Sequence, residues 1–271
     1  MSSQEFLFDA RDRDGKSVPP GSGVIPILKE LAPGELAVVG TGFFVTRYGL
    51  FATARHVLEE LARLDRGQLA AGYVLEDASP ERLVLRDIVA ISFSTTADVA
   101  LGQASHALPN NRVRLSFVRP AANERLLTYA YPENEVMKFG DAANPPILRA
   151  NWFTGSFTRQ VLPSEHPYIP HPYYETSVEI RSGASGSAIF NSAGDVVAIA
   201  CRGWDFGGAE HQGDHLSSVV PVTQLLPIVA GCARVPNPSW EHRQIPESRV
   251  GAILTLAELV AYGHVDTGAF E

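Results

Sequence analysis

The chain has 271 residues, 45% of them hydrophobic and 19% charged, which is the composition of a folded globular protein and excludes a disordered chain. Its formal net charge is −8 and it has no cluster of lysines and arginines, so it lacks the concentrated positive charge that nucleic-acid phosphates require. No uninterrupted apolar stretch reaches membrane-spanning length, so we expect neither a nucleic-acid nor a membrane partner.

The start of the chain and its cysteines give an expectation about the compartment. Residues 1–20 are polar and end in Pro19 and Pro20, so we expect a loose N-terminal arm. This arm lacks the basic start and long apolar run of a secretory leader. The two cysteines, Cys201 and Cys232, can form at most one disulfide. We expect two buried free thiols and a cytoplasmic protein, with a single disulfide as the alternative.

Short apolar runs separated by turn residues fill residues 21–118. The runs are rich in Val, Ile and Phe and are broken by Gly, Pro, Asn and Asp, a pattern typical of strands in a barrel or sandwich. They are GVIPIL, ELAVVGTGFFVT, GLFATARHVL, GYVLED, RLVLRDIVAISF and ADVALGQ. We therefore assign residues 21–118 to a first β-barrel, in which the strand GLFAT gives way to a short helical turn at His56.

A second series of strands follows and predicts a second β-barrel over residues 119–232. Its runs are RLLTYAYP, ILRANWFTGSFT, YETSVEI, GSAIFN, VVAIACRG and LSSVVPV. Residues 223–230 then predict a short closing helix. The sequence shows no repeat of fixed period, which argues against a solenoid or a propeller.

Residues 233–271 form a C-terminal extension. Its prolines predict an irregular connector, followed by a strand over residues 249–254. Thr255 and Glu258 fit a capping box, in which each side chain accepts a hydrogen bond from the other residue's backbone N–H, so a short helix should begin there. We expect this helix to dock on its own chain, because exposed apolar patches are uncommon. Docking on a partner is the alternative.

Three short strings along the chain supply residue types that belong together chemically. They are TARHV around His56, DVAL around Asp98 and SGASGSAIF around Ser185. A serine hydroxyl becomes a nucleophile when an imidazole takes its proton, and a carboxylate must hold that imidazole in one tautomer. Asp87, in RDIVAIS, is the alternative carboxylate, but it lacks the following Ala-Leu and is expected to border a strand.

The strings GTGFFVT, FATARHV, DVAL and SGASGSAIF together resemble the trypsin-like superfamily, and most closely its bacterial HtrA-like and glutamyl-endopeptidase-like branches. The resemblance covers roughly residues 24–233. It implies an all-β fold, a chymotrypsin-like double six-stranded β-barrel with a short C-terminal helix and an extra C-terminal tail. It also implies a bacterial serine endopeptidase that acts on a protein or peptide substrate.

The resemblance also implies a role for each matching residue. His56 matches the general base, Asp98 the orienting carboxylate and Ser185 the nucleophile, with an acyl-enzyme intermediate and no metal or organic cofactor. The amide groups of Gly183 and Ser185 match the oxyanion hole. Many relatives have glycine where this chain has Ser187, and no Ile-Val-Gly-Gly-like start is present, so activation by cleavage is not indicated.

The substrate preference stays open at this stage. By resemblance, Cys201, Arg202 and Gly203 should lie near the primary specificity pocket, with Ser217 on its far wall. Arg202 would favour an acidic substrate side chain, whereas Glu179, six positions before the nucleophile, would favour a basic one. The two expectations are opposite, and the sequence does not choose between them.

Two other classes of function compete with this hypothesis. The first is a catalytically silent binding module with the same fold. The second is a metal-dependent hydrolase using His211 and His215 in EHQGDH, although nearby glycines favour a surface loop there. The prolines around His166 and His171 likewise favour a connector. Because an uncontrolled cytoplasmic protease would harm its host, we expect control by a protein partner, by the tail or by narrow substrate choice.

Overall fold

The structure is a computed structural model, and it describes residues 10–11, 17–18, 23–33, 35–62, 72–79, 82–105, 112–132, 137–138, 150–165, 169–204, 216–230 and 254–268. Most of the predicted N-terminal arm lies outside these residues, and so do Cys232 and the proline-rich connector of the tail. The loop that contains His211 and His215 is outside them as well.

The first barrel is built by six antiparallel strands. They are β3 (Val24–Ala32), β4 (Glu35–Phe44), β5 (Leu50–Thr53), β6 (Gly72–Ser79), β7 (Arg82–Phe93) and β8 (Ala100–Ala104). The sheet order is β4-β3-β6-β7-β8-β5, and β4 also pairs with β5, so the sheet closes on itself. Large apolar side chains of these strands, such as Phe43, Phe44 and Phe51, are fully buried. The rings of Phe44 and Phe51 meet edge to face with centroids 6.5 Å apart.

The second barrel is closed as well. Its strands are β9 (Arg125–Ala130), β11 (Asn151–Val161), β12 (Tyr173–Thr176), β13 (Ala188–Phe190), β14 (Val196–Trp204) and β15 (Leu216–Pro221). The order around the barrel is β11-β12-β15-β14-β13-β9. The predicted all-β double six-stranded barrel is therefore confirmed.

The remaining elements are short. They are β1 (Ala10–Arg11), β2 (Ser17–Val18), α1 (Arg55–Ala62), β10 (Met137–Lys138), a 3-10 helix (Val222–Leu225), β16 (Val229–Ala230), β17 (Leu254–Thr255) and α2 (Leu256–Ala261). No helix among the described residues is long and apolar enough to cross a membrane. Strand β10 comes from the second half of the sequence but pairs with β4 of the first barrel. The boundary between the two predicted barrel segments stays a prediction.

The two barrels share a continuous apolar core. One cluster of buried side chains contains Ile27 and Leu101 from the first barrel and Ile199 and Val220 from the second. A second cluster, which includes Leu126 and Ile189, fills the interior of the second barrel alone. Because burial of apolar area is the main favourable term in folding, this shared cluster fixes the barrels against each other.

The helix predicted over residues 223–230 is shorter than expected. The structure forms one 3-10 turn, Val222–Leu225, and residues 229–230 are the strand β16 instead. Pro227 explains the difference, because proline has no N–H to donate to a carbonyl of the preceding turn, so the helix does not continue past it.

The described part of the tail docks on its own chain, as predicted. Strand β17 pairs with β16, and α2 begins with both hydrogen bonds of the predicted capping box between Thr255 and Glu258. Leu256 and Leu259 are buried in the shared core. The backbone of Leu115, in the connection between the barrels, exchanges hydrogen bonds with the tail, donating to the Asp266 carbonyl at 2.8 Å and accepting from Gly268 N–H at 2.7 Å.

Candidate active site

His56 stands in the first turn of α1, at the end of a buried strand. The four residues of β5 are all buried, and α1 begins two residues later at Arg55. Arg55 anchors this turn, because its Nη1 donates to the Ser94 carbonyl at 2.8 Å and its Nε contacts Glu59 at 2.6 Å. The helix therefore presents His56 to one side of a loop formed by residues 94–98.

Asp98 contacts His56 through both of its carboxylate oxygens. Oδ2 lies 2.8 Å from Nδ1 of the imidazole, and Oδ1 accepts the backbone N–H of His56 at 3.1 Å. A carboxylate can only accept, so the pair keeps the imidazole proton on Nδ1 and leaves the lone pair of Nε2 available. The alternative carboxylate, Asp87, is exposed within β7 and pairs with Tyr73 there.

The loop that carries Asp98 is fixed locally. The hydroxyl of Ser94 is buried and accepts the N–H groups of Thr96 at 3.3 Å and Ala97 at 3.1 Å. This is a serine turn, in which a side-chain oxygen replaces a backbone acceptor. The Asp98 carbonyl also accepts the N–H of Arg55 at 3.2 Å, so the carboxylate and the start of α1 form one rigid unit.

Ser185 lies in a tight turn between two glycines with left-handed backbone. Gly183 has a φ of 86° and Gly186 a φ of 87°. Between them, Ala184 N–H donates to the Arg181 carbonyl at 2.9 Å. The amides of Gly183 and Ser185 donate no hydrogen bond within the described part of the chain. Two unused N–H groups in a turn of this kind provide donors for an anion.

The hydroxyl of Ser185 is turned toward the neighbouring strand. Its Oγ donates to the carbonyl of Cys201 at 3.3 Å. Among the described residues it makes no hydrogen bond to His56, whose ring is held by Asp98. The structure thus brings His56 and Asp98 into direct contact and leaves the Ser185 hydroxyl on a long, weak bond.

The turn that holds Ser185 presses against the first barrel at two glycines. A Cβ on Gly186 would lie 1.9 Å from Oγ1 of Thr53 and 2.2 Å from the carbonyl oxygen of Thr41. A Cβ on Gly40 would lie 2.6 Å from Val57, the residue after His56, and 3.0 Å from the Ser185 carbonyl oxygen. These approaches bring the turn of the second barrel against the segment that carries His56 in the first.

Ser187, which departs from the glycine of many relatives, has a structural partner. It is fully buried, and its Oγ accepts the hydroxyl of Thr128 at 2.8 Å. Its own N–H donates to the Ala184 carbonyl at 3.1 Å. The hydroxyl is therefore satisfied inside the second barrel and does not face the cleft.

A cleft of about 380 Å³ opens beside His56. Its walls come from α1, the 94–98 loop, residues 169–171 and the strands β14 and β15. They include Arg55, Thr96, Asp98, His171, Arg202 and Ser218. Of the residues expected at the substrate, Cys201 and Arg202 line this cleft. Gly203 pairs with Ser217, whose side chain is 1% exposed, while the next residue, Ser218, lines the cleft.

His171 is a cleft residue that the sequence did not suggest. It sits among prolines that predicted a plain connector, yet it is buried in the cleft wall, with Nδ1 3.1 Å from the Pro172 carbonyl. Nothing in the local sequence distinguishes such a histidine from a surface one. Its position depends on the fold of the second barrel.

Cys201 connects Ser185 to the loop that carries Asp98. Its carbonyl accepts from Ser185, and its Sγ donates to the Asp98 carbonyl at 3.2 Å. It is a free, buried thiol, and burial raises its pKa well above the usual value of a cysteine. A thiol held in its neutral form is a poor nucleophile, so its contribution is structural.

The charge on Glu179, near the turn that holds Ser185, is partly neutralised. Glu179, which suggested a preference for basic side chains, is paired with Nε of Arg181 at 2.7 Å. Arg202 is exposed at the cleft. The predicted preferences of these two residues stay predictions.

Within the described residues, no group of three or more His, Cys, Asp or Glu side chains is arranged to hold a metal ion. The rival metal site at His211 and His215 lies outside those residues and stays untested.

Comparisons with known proteins concern both the sequence and the fold. Residues 40–199, more than half of the chain, match the sequence profile described as a trypsin-like peptidase domain. No curated protein matches the sequence.

Among solved structures, the fold is similar to the crystal structure of Deg5, with a TM-score of 0.54 and 18% identity over 75% of this chain and 85% of that one. An inactive-form mutant of Rv3671c from M. tuberculosis H37Rv gives a TM-score of 0.48 and 14% identity over 75% of this chain and 82% of that one. At these identities the likeness concerns the fold alone.

Proposed function

Since this chain belongs to the trypsin-like peptidase family, we propose that it is a serine endopeptidase that cleaves peptide bonds through an acyl-enzyme intermediate. In this proposal Ser185 is the nucleophile, His56 the general base and acid, and Asp98 the group that orients and stabilises His56. The carrying observation is the two-point contact of Asp98 with His56, together with a turn at Ser185 in which the amides of Gly183 and Ser185 donate no hydrogen bond among the described residues.

The reaction begins when the Ser185 hydroxyl turns from the Cys201 carbonyl to Nε2 of His56. This rotation gives up one neutral hydrogen bond, which contributes about 1 kcal/mol, a small part of a catalytic barrier. Oγ then attacks the carbonyl carbon of the substrate, and its proton passes to Nε2. The Asp98 carboxylate stabilises the resulting imidazolium through Nδ1.

The carbonyl oxygen of the substrate becomes negatively charged as Oγ adds. The amides of Gly183 and Ser185 would donate to it, and loss of one such donor costs about 3 kcal/mol in known cases. His56 then gives its proton to the leaving amine nitrogen, which releases one peptide and leaves an ester on Ser185. Water, deprotonated by His56, hydrolyses this ester and restores the hydroxyl.

A protein or peptide substrate and a regulated activity are part of the proposal. We propose a bacterial cytoplasmic setting, and the free thiol of Cys201 supports the reducing compartment in this proposal. Control by a partner protein or by narrow substrate choice would protect the host. No metal or organic cofactor takes part in the proposed steps.

The test is covalent labelling with a fluorophosphonate probe together with hydrolysis of an unfolded protein such as casein. We expect the wild-type chain to be labelled and Ser185→Ala to lose both labelling and hydrolysis. Ser182→Ala is the matched control, because Ser182 is an exposed serine in the same turn, and it should behave as wild type. A wild-type chain that is neither labelled nor active would refute the proposal and favour a silent binding module.

A further inference from the structure

We propose that Thr41 is a positioning residue that holds the amide of Gly183 in the oxyanion hole. The inference rests on the proposed function. Thr41 lies in β4 of the first barrel and is fully buried, whereas the turn that it contacts belongs to the second barrel. It touches neither His56 nor the hydroxyl of Ser185 by any hydrogen bond in the described part of the chain.

Thr41 binds the nucleophile turn at two carbonyls. Its Oγ1 donates to the Gly183 carbonyl at 2.8 Å, and its backbone N–H donates to the Ser185 carbonyl at 2.8 Å. The same Oγ1 accepts the N–H of Tyr131 at 3.2 Å, which leaves the hydroxyl hydrogen directed at Gly183. The Thr41 carbonyl in turn accepts the hydroxyl of Thr53 at 2.6 Å.

These bonds matter because each peptide unit is planar, so fixing its oxygen fixes its N–H as well. The unit between Gly183 and Ala184 is fixed by Thr41 at the oxygen and by the Arg181 carbonyl at the N–H. The unit that contains the Gly183 amide is different, since neither of its polar atoms has a hydrogen bond among the described residues. Its direction therefore depends on the unit that follows it.

The direction of the Gly183 amide depends strongly on its neighbouring peptide unit because residue 183 is a glycine. Gly183 has a φ of 86°, and glycine crosses between left- and right-handed backbone with little steric cost. Without the Thr41 hydroxyl, the carbonyl of Gly183 loses its buried partner, and the peptide before Gly183 is free to rotate. A rotated peptide would present a carbonyl oxygen, instead of an N–H, to the developing negative charge.

The expected effect is on the chemical step and not on substrate binding. Thr41→Val keeps the size and branching of the side chain but removes the hydroxyl. We expect its kcat to fall about 10- to 100-fold, less than the loss of a whole oxyanion donor, while KM stays within about twofold. Its affinity for a peptide boronic acid, which places an oxygen in the oxyanion hole, should fall by a similar factor.

Thr41→Ser, which keeps the hydroxyl, should return kcat and the affinity for the boronic acid to within about threefold of wild type. The midpoints of the pH–rate profile should not move, because the His56–Asp98 pair is not contacted.

Thr176→Val separates this role from a general loss of stability. Thr176 is also a fully buried threonine whose Oγ1 donates to a carbonyl, that of Ser156 at 2.9 Å, and accepts an N–H, that of Val178 at 3.1 Å. The two valine variants should lose similar stability in thermal unfolding, while Thr176→Val keeps its kcat. Thr41→Ala serves as the second variant that lacks the hydroxyl if Thr41→Val fails to fold.

The outcomes distinguish the inference from the proposed function. The inference is supported if the wild type is active, if Thr41→Val has a reduced kcat and a reduced affinity for the boronic acid, and if Thr41→Ser restores both. If the wild type is active and Thr41→Val has the same kcat and boronic acid affinity as Thr176→Val, the inference is overturned and the proposed function is left intact. A wild type with no labelling and no hydrolysis overturns both.

Discussion

Replacement of Asp98 by asparagine tests the geometry of the His56–Asp98 pair directly. Asp98 accepts two hydrogen bonds from His56, one at Nδ1 and one at the backbone N–H. Asparagine has a single oxygen. If this oxygen faces the backbone N–H, the NH2 group faces Nδ1 and donates to it, and if the amide flips, two donors face each other.

The first arrangement is the one that satisfies both contacts, and it has a chemical consequence. Nδ1 becomes an acceptor, so the imidazole proton moves to Nε2, where it blocks transfer from the Ser185 hydroxyl. We therefore expect a fall of about 10⁴-fold in kcat near neutral pH, the loss seen when a triad imidazole is held in the wrong tautomer. That factor corresponds to about 5.4 kcal/mol of barrier.

The assay is steady-state peptide hydrolysis with wild type, Asp98→Asn and Asp87→Asn. Asp87 is exposed within β7, so its variant is the matched control and should keep kcat within about twofold. Thermal unfolding checks that the variants are folded. An Asp98→Asn variant that keeps more than about a tenth of wild-type kcat, or a loss that follows Asp87 instead, would refute the assignment of Asp98.

Two further predictions concern packing. Gly186→Ala should lower kcat at least about 100-fold in peptide hydrolysis, because its Cβ would lie 1.9 Å from Oγ1 of Thr53 and must displace the turn that holds Ser185. Gly194→Ala, at another left-handed glycine, in the turn between β13 and β14, should keep kcat within about twofold. Leu256→Ala in the tail helix should lower the free energy of unfolding by about 2–5 kcal/mol, because Leu256 is fully buried. Leu31 is 54% exposed, so Leu31→Ala should lower it by less than about 0.5 kcal/mol. Denaturant unfolding measures both values. Equal kcat losses in the two glycine variants, or equal unfolding losses in the two leucine variants, would contradict these arguments.

Features that depend on neighbours in sequence were predictable. The strand runs of the two barrels, the start of α1 at the end of β5 and the capping box of Thr255 and Glu258 all follow from short-range patterns, and the structure contains each of them. The strand predicted over residues 249–254 lies outside the described residues except at its last position. The closing helix was predicted too long because the missing N–H of Pro227 was not taken into account. Local patterns work here because capping, turn formation and strand alternation are satisfied by atoms a few residues apart.

Features that join distant segments were not predictable. The bond from Ser185 to the Cys201 carbonyl, the burial of the Ser187 hydroxyl against Thr128 and the place of His171 in the cleft all need the second barrel to be closed. No pattern near these residues in the sequence contains that information.

The sequence by itself determined the type of fold and the three strings that hold His56, Asp98 and Ser185, because these residue types rarely occur in this order by chance. Only the tertiary structure decided that Asp98, and not Asp87, contacts His56, that Thr41 of the first barrel holds the turn of the second, and that the tail packs into the shared core. The physical reason is that hydrogen bonds and apolar contacts between distant segments exist once the barrels have closed and packed together.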